Sequence, residues 1–356
     1  MEQKSVLIGM SGGVDSSVAA ALLKEQGYHV IGATMRLWTY SDSCNMKHEG
    51  CCAESAVEDA RRVCDKLGID FYVMNFKDMF KDKVVDYFVD EYIHGRTPNP
   101  CIACNKYLKF DALLKKALAM GIDYVATGHY AKIEKGEDGK YILRASEAVK
   151  KDQSYVLYNF TQEQIAHTLM PLGGYNKDWV RQKAEELGLG VAHKPDSQEI
   201  CFVEDDDYAK FITDYSGYKP KEGDILDVNG NVIGKHRGLI YYTIGQRKGI
   251  GAYGRPMFVM KIDAENNTIT LGEKGMEFSN ELTAYDVNFV SGEFPKENML
   301  ITAKVRYQAP PAAAMLCPQK DGTVKLMFPE PQRAVTPGQA VVFYDGDIVL
   351  GGGTVL

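Results

Sequence analysis

The sequence predicts an α/β protein: an N-terminal domain with a parallel sheet, a small mixed central domain and a C-terminal β-barrel. Three observations carry this. Strand-like and helix-like segments alternate through roughly the first two hundred residues, the rhythm of βαβ units with helices on both sheet faces. Composition changes after Cys201, where Glu204-Asp205-Asp206-Asp207 reads as a solvated boundary opening a short helix through Asp214. Between about Ala284 and Leu356 the strands are brief and broken by Pro and Gly, which suits a small closed barrel. The expected domains are residues 1–208, 209–282 and 283–356.

In chain order, Ser5 to Gly9 is a short apolar run suited to a buried parallel strand. Helical spacing follows from Ser16 to Gln26, and Gly27 stops it. His29 to Met35 is the next strand, Ala53 to Leu67 a helix ending at Gly68, and Phe71 to Asn75 a strand again. Helices at Asp78 to Tyr92 and Lys106 to Met120 precede the strand Tyr124 to Thr127. Beyond Gly217, Gly, Asn and Asp turns recur between short β-rich runs, as at Val228-Asn229-Gly230-Asn231-Val232.

The chain has 356 residues, 45% of them hydrophobic and 25% charged, which places it among globular proteins of two or three domains. No apolar run approaches the ~20 residues of a membrane span, and the first residues lack a secretory layout. A soluble cytoplasmic protein is therefore the expectation, taken to be a monomer. A net charge of −7 argues against blanket affinity for nucleic acid. Any such contact has to come from local clusters. Lys235-His236-Arg237, Tyr241-Tyr242, Arg247-Lys248-Gly249 and Lys304-Val305-Arg306-Tyr307 mix basic and aromatic side chains, the types that bind phosphate and stack on bases. Charged stretches of this kind are also common as plain solvated faces.

The strongest local signal is Gly9-Met10-Ser11-Gly12-Gly13-Val14-Asp15-Ser16. A buried strand runs through two glycines and hydroxyl residues straight into a helix. Glycines let backbone N–H groups converge on an anion, and the helix N-terminus adds partial positive charge. Ser11, Ser16 and Ser17 offer further donors, and Asp15 either helps hold Mg²⁺ or caps the helix. The lysine of a Walker loop is missing. The arrangement S-G-G-x-D-S resembles the loop of ATP pyrophosphatases, which grip the β and γ phosphates as a leaving group and transfer AMP to a substrate oxygen.

Eight cysteines occur: Cys44, Cys51, Cys52, Cys64, Cys101, Cys104, Cys201 and Cys317. A reducing compartment disfavours a disulfide framework. Cys104 is expected at the start of an amphipathic helix, where the helix dipole and the nearby Lys106 and Lys109 raise its thiolate fraction. Cys201 lies in a polar stretch before the domain boundary. Two such thiols could meet over the carboxyl edge of the sheet, where open α/β folds bind ligands. A metal site on Cys101-x-x-Cys104 is an alternative, although no second C-x-x-C completes a zinc set. The remaining five cysteines read as buried, inert thiols.

A dozen short motifs now point to one family. Besides the loop they include Gly50-Cys51-Cys52, Asn99-Pro100, Cys104-Asn105-Lys106, Thr127-Gly128-His129-Tyr130, Lys151-Asp152-Gln153-Ser154-Tyr155, Asp196 to Phe202, Thr243 to Gly249 and Arg306-Tyr307. In these the chain resembles tRNA-specific 2-thiouridylases over essentially its whole length. The resemblance implies an ATP pyrophosphatase (HUP-like) catalytic domain that adenylates the C2 oxygen of the wobble uridine and replaces it with sulfur. It implies that Gly9 to Ser16 bind ATP with Mg²⁺, and that Met35 and Gly128 line the adenosine side. Cys104 is then the nucleophile and Cys201 the persulfide carrier. Asn99, Pro100 and Cys101 approach the target base, while His129, Lys151, Asp152, Gln153, Arg306, Tyr307 and Gln339 face the tRNA anticodon loop. A cysteine desulfurase or sulfur-relay protein supplies the sulfur. Position 101 departs from the family pattern N-P-D-x-x-C, because Cys stands where many members carry Asp. Cys101, Cys104 and Cys201 together offer the thiolates that an iron–sulfur cluster uses. The nearest rival is an amide or guanidine ligase with the same loop, and a more distant one is a non-catalytic RNA-binding or metal-storage protein.

Overall fold

A computed structural model describes residues 3–38, 54–196, 200–203 and 206–356. The first strand, β1 (Ser5–Gly9), has Val6, Leu7 and Ile8 fully buried, as a strand covered on both faces requires. It leads into α1 (Val14–Glu25), β2 (His29–Arg36), α2 (Glu54–Leu67) and β3 (Asp70–Asn75). Next come α3 (Lys77–Phe80) and α4 (Asp86–Ile93), joined by a π-wound turn, then α5 (Pro100–Ala103). That helix continues through a π-wound segment at Cys104–Ala112 into α6 (Leu113–Ala119), followed by β4 (Tyr124–Ala126). A hairpin of β5 (Ala131–Lys135) and β6 (Tyr141–Ala145), then α7 (Gln162–Ala166), β7 (Thr168–Leu169) and α8 (Lys177–Glu186) complete the domain.

The sheet order is β3-β2-β1-β4-β7, every pair parallel. Chain progress reverses at β1, between β2 and β4, so the crevice beyond the end of β1 is the topological switch point where such sheets bind ligands. Val6, Ile8 and Val30 pack under α1, α2 and α8, and Leu7, Ala33 and Val125 pack under α3 to α6. Helices therefore cover both faces, as the alternation of segments predicts.

Asp123 fastens β4 to β1. Its carboxylate accepts from Lys4 Nζ at 2.6 Å, and from Ser5 N and Oγ at 2.9 Å each. These donors hold the carboxyl well below the usual carboxylate range. A lowered value stabilises the fold above the unfolded pKa and is lost as pH falls through the folded one. Asp123→Asn is expected to lower the thermal midpoint by a few degrees at pH 7. The gap should narrow as pH drops below ~4, which differential scanning calorimetry would read.

After α9 (Tyr208–Ser216) the central domain forms a four-stranded sheet, with β8 (Gly223–Leu226), β9 (Val232–His236), β10 (Met257–Asp263) and β11 (Thr268–Glu273) in the order β10-β11-β8-β9. Ile225, Tyr242, Val259, Ile269 and Leu271 make its core. The last domain holds β12 (Phe278–Phe289), β13 (Met299–Lys304), β14 (Ala312–Pro318), β15 (Val324–Arg333), β16 (Ala340–Asp345) and β17 (Ile348–Val355). The pairing β12–β17 closes these six strands into a barrel. The β5–β6 hairpin of the first domain extends the same sheet, β6 pairing antiparallel with β17. Arg144 on β6 reinforces the seam by donating to Asp347 at 2.7 Å. Among the described residues no helix is long and apolar enough to cross a membrane.

Candidate functional site

The loop after β1 reaches its shape through Gly12, whose φ of +69° is the left-handed conformation that glycine adopts at no steric cost. Thr34 Oγ1 donates to Met10 O at 2.8 Å and anchors the loop to β2. The serines divide their work. Ser17 Oγ is fully buried and donates to Gly13 O at 2.8 Å, and Ser16 Oγ donates to the same carbonyl at 3.2 Å. Ser17 therefore closes the helix start and gives no donor to an anion, contrary to the sequence expectation. Exposed Ser11 keeps its hydroxyl at the cavity, 3.2 Å from Ser16 Oγ.

A cavity of about 650 Å³ opens over this loop. It is lined by Gly9 to Ser16 together with Met35, Gly128, His129, Lys151, Gln153 and Tyr307. Residues expected at the nucleotide and several expected at the RNA thus share one space. Lys109, Lys150, Lys151 and Lys194 also line it, against the carboxylates of Asp15 and Asp196. Lys194 clamps the loop by donating to Gly12 O at 3.1 Å and to Asp59 at 2.9 Å. On an acidic body this is a focused cationic pocket.

His129 is buried and shares a 2.7 Å hydrogen bond between its Nδ1 and Thr127 Oγ1. Burial, and next the Lys109 ammonium, push its pKa well below the ordinary value. It faces the cavity as a neutral ring, so it cannot attract a phosphate by charge. The segment Lys151-Asp152-Gln153 is largely turned inward. Lys151 Nζ donates to Asp196 at 2.6 Å. The Asp152 carboxylate accepts from Ser146 N at 2.9 Å and Ser154 Oγ at 2.7 Å, and Gln153 Oε1 accepts from Tyr130 N at 3.0 Å.

The barrel contributes Arg306, Tyr307 and Gln339. The Arg306 guanidinium donates to the carbonyls of Arg333 at 2.7 Å and Ala334 at 3.0 Å. Tyr307 OH donates to Asp152 O at 3.1 Å, and its ring meets Tyr155 edge-on at 5.7 Å. Gln339 Nε2 donates to Thr97 O at 2.8 Å, which fixes the approach to Asn99. Asn99 caps α5 by accepting from Cys101 N at 3.1 Å. It also lines a second cleft of about 340 Å³ between α5 and the barrel.

Two sequence expectations change at the cysteines. Helix begins at Pro100, because proline is favoured at the first helical position and Asn99 supplies the cap. Cys101 therefore takes the first turn and stands exposed, while Cys104 lies a turn further in, 8% exposed within the apolar layer. The helix dipole acts chiefly over the first turn, so it favours Cys101 more than Cys104. Of the two lysines expected nearby, Lys109 lines the cavity, whereas Lys106 turns to the barrel and pairs with Asp286 at 2.8 Å. Cys201 is half-buried against the same apolar layer that contains Cys104, so both thiols lie on one side of the sheet.

The second change concerns iron. Among the described residues no group of three His, Cys, Asp or Glu side chains could hold a metal ion. Cys101, Cys104 and Cys201 differ in exposure and do not converge as a cluster requires, so the iron–sulfur expectation is not supported. Cys64 packs on the opposite face, where burial and then Asp65 push its thiol up to about 12. That is an inert thiol. Cys317 lies on β14 in the barrel, and Cys44, Cys51 and Cys52 lie outside the described residues.

Sequence reasoning missed Tyr130, Lys177 and Lys194 as parts of the site. Tyr130 OH and Lys177 Nζ both donate to Asp15, at 2.7 and 2.8 Å. A lone lysine opening a polar helix carries no signal, and the Lys194-Pro195-Asp196 run was legible only as a polar stretch.

Fold and site together define an α/β enzyme with an anion loop at the switch point, two thiols against one sheet face and two appended β domains. Family models match along the chain: a "tRNA methyl transferase HUP domain" over residues 4–205, a "tRNA methyl transferase PRC-barrel domain" over 209–273 and an "Aminomethyltransferase beta-barrel domain" over 279–355. The tRNA-specific 2-thiouridylase MnmA of Acetivibrio thermocellus is 59% identical over 358 residues, covering all of both chains. That of Clostridioides difficile is 58% identical over 99% of this chain and 98% of its own. That of Clostridium botulinum is 56% identical over 100% and 98%. The chain belongs to the tRNA-specific 2-thiouridylase family.

Proposed function

We propose that this protein thiolates the wobble uridine of tRNA at C2, using ATP to activate the carbonyl and a cysteine persulfide to deliver sulfur. The supporting observation is the anion loop at the switch point, in a cavity lined by four lysines, on a sheet whose one face also carries Cys104 and Cys201. The family models' descriptions name methyl transfer. A sulfonium methyl donor is a cation, and so many lysines around the pocket suit a polyphosphate instead.

The uridine C2 oxygen is a hopeless leaving group until it is bonded to phosphorus. In the proposed first step O2 attacks the α-phosphorus, and pyrophosphate departs into the loop amides. Lys177, Lys151 and Tyr130 engage the carboxylate oxygens of Asp15 and Asp196, so Mg²⁺ would enter on the nucleotide's own phosphates and supply charge neutralisation there. The terminal sulfur of a Cys201 persulfide then attacks C2, and AMP leaves with the original oxygen. The Cys104 thiolate attacks the Cys201 sulfur, forming a Cys104–Cys201 disulfide while the electron pair remains on the ring sulfur as the thiocarbonyl. Alternatively Cys104 cleaves the persulfide first and releases hydrosulfide. Either route consumes one external dithiol to reset the enzyme. The target base reaches the cavity by leaving the stack, at small cost in a single-stranded anticodon loop. A desulfurase or sulfur-relay protein is the donor in this reading, and the protein acts as a cytoplasmic monomer.

The deciding experiment combines the protein, unmodified tRNA, ATP, Mg²⁺ and a desulfurase with cysteine. AMP and pyrophosphate should form only with tRNA present, and digested tRNA should contain 2-thiouridine by mass spectrometry. ATP cleavage without thiolated nucleoside would refute the reading. The exposed thiol at position 101 is expected to be dispensable: Cys101→Asp should thiolate within about threefold of the parent rate, since removing a group outside the bond-making set costs little.

A further inference from the structure

One buried ammonium that belongs to none of the recognised motifs joins the two carboxylates of the cavity. Lys177 is the first residue of α8, and its side chain is 11% exposed. Its Nζ donates to both oxygens of Asp15 at 2.8 Å and stands 2.6 Å from Oδ1 of Asp196. The other Asp196 oxygen accepts from Lys151 at 2.6 Å, and Arg181 approaches Oδ1 at 3.5 Å. Tyr130 OH completes the Asp15 side at 2.7 Å. The phosphate loop, the Lys151 segment and Asp196 therefore meet at one positive charge.

Local helix electrostatics oppose a lysine at this place. The first turn of a helix carries partial positive charge and favours acidic residues. Lys177 nevertheless sits there, directly after Asn176, which caps α8 by accepting from Trp179 N at 2.9 Å. Val180 and Ala184 bury the helix in the layer that contains α1, so the backbone beneath Lys177 is rigid. A residue held against its local preference on a rigid element is the usual mark of a constraint imposed by the site.

We propose that Lys177 is a positioning residue: its ammonium locks Asp15 to Asp196, and thereby holds the phosphate loop in its binding shape. Without it, two carboxylates around a common point repel each other and face the incoming triphosphate uncompensated. The loop then opens. Asp196 agrees with this role, because burial raises its pKa yet the Lys151 and Lys177 hydrogen bonds outweigh burial and hold it below the ordinary value.

The inference rests on the ATP-using reading, and its test separates the two. Affinity for MgATP is measured by titration calorimetry without tRNA, on the parent, Lys177→Met and Lys177→Arg, each checked for an unchanged unfolding midpoint. Parent protein that fails to bind MgATP refutes the ATP reading itself. With a binding parent, Lys177→Met should bind MgATP about tenfold more weakly and Lys177→Arg within about threefold of the parent. Equal MgATP affinity in parent and Lys177→Met overturns the proposal, and so does an arginine variant as impaired as the methionine one. Should Lys177→Met fail to fold, Asp196→Asn removes the bridge from its other end and has to show the same loss of affinity.

Discussion

Cys201→Ser is expected to abolish thiolation, by roughly 10³-fold or more, while tRNA-dependent release of AMP and pyrophosphate continues. Activation happens at the loop, and nothing in that step needs a thiol. Sulfur transfer needs two, and a serine hydroxyl neither carries sulfane sulfur nor forms a disulfide. Cys104→Ser should be as inactive in thiolation, yet the two variants part company when fed labelled sulfur through a desulfurase. Cys104→Ser should still hold label on the protein in a form released by dithiothreitol, whereas Cys201→Ser should hold far less. The substitutions are close to isosteric, and Cys104 sits only 8% exposed in a packed layer, so calorimetry should show near-parental folding. Equal labelling of the two variants would reverse the assignment of carrier and nucleophile.

The second large effect comes from a glycine. A Cβ at Gly128 would stand 2.6 Å from Ser16 N and 2.7 Å from the Asp15 carbonyl carbon, both backbone atoms at the start of α1. No rotamer change relieves such a clash, so β4's exit and the loop have to separate. Gly128→Ala is expected to weaken ATP binding by at least ~100-fold and to cost about 1–3 kcal/mol of stability, the range for overpacking a tight contact. Gly174 meets nothing within 4 Å and lies outside the left-handed region, so Gly174→Ala serves as the matched control. Titration of ATP against both variants separates the local clash from any general effect of replacing glycine.

Much of the fold was legible because the signals were local and repeated. Buried strands such as Val6-Leu7-Ile8, glycine stops at Gly27 and Gly68, and the loop motif each announce themselves within a few residues. The chain shows them where the spacing predicts, with β1 at Ser5–Gly9 and β2 from His29. The helix carrying Cys104 began earlier than its apolar spacing implied. Pro98 and Pro100 argue locally for extended chain, yet Pro100 sits where proline favours a helix start. The β5–β6 hairpin stands outside the expected elements, even though Gly136-Glu137-Asp138-Gly139 between β-rich runs is a hairpin signature.

The site divides along the same line. Residues that act through backbone shape, such as Gly9 to Gly13 and Gly128, could be read from motif spacing. Residues that act through distant charge could not. Lys177 reaches Asp15 across 162 positions and Lys194 reaches Gly12 across 182, and no periodicity encodes such pairings. The resemblance assigns RNA contacts to Asp152, Arg306 and Gln339. Their polar atoms are engaged in holding loops, which tertiary placement alone reveals.

The hairpin that joins the catalytic domain to the barrel sheet has a consequence for biosynthesis. Arg144 and Asp347 face each other although 203 positions separate them. A ribosome adding ~5–20 residues per second makes β6 roughly 10–40 s before its partner strand emerges. Throughout that interval the nascent chain presents an open strand edge, the kind of template that draws other chains into aggregates. Arg144 on β6, paired with Glu134 of β5, places charge beside that edge until β17 is made to cover it.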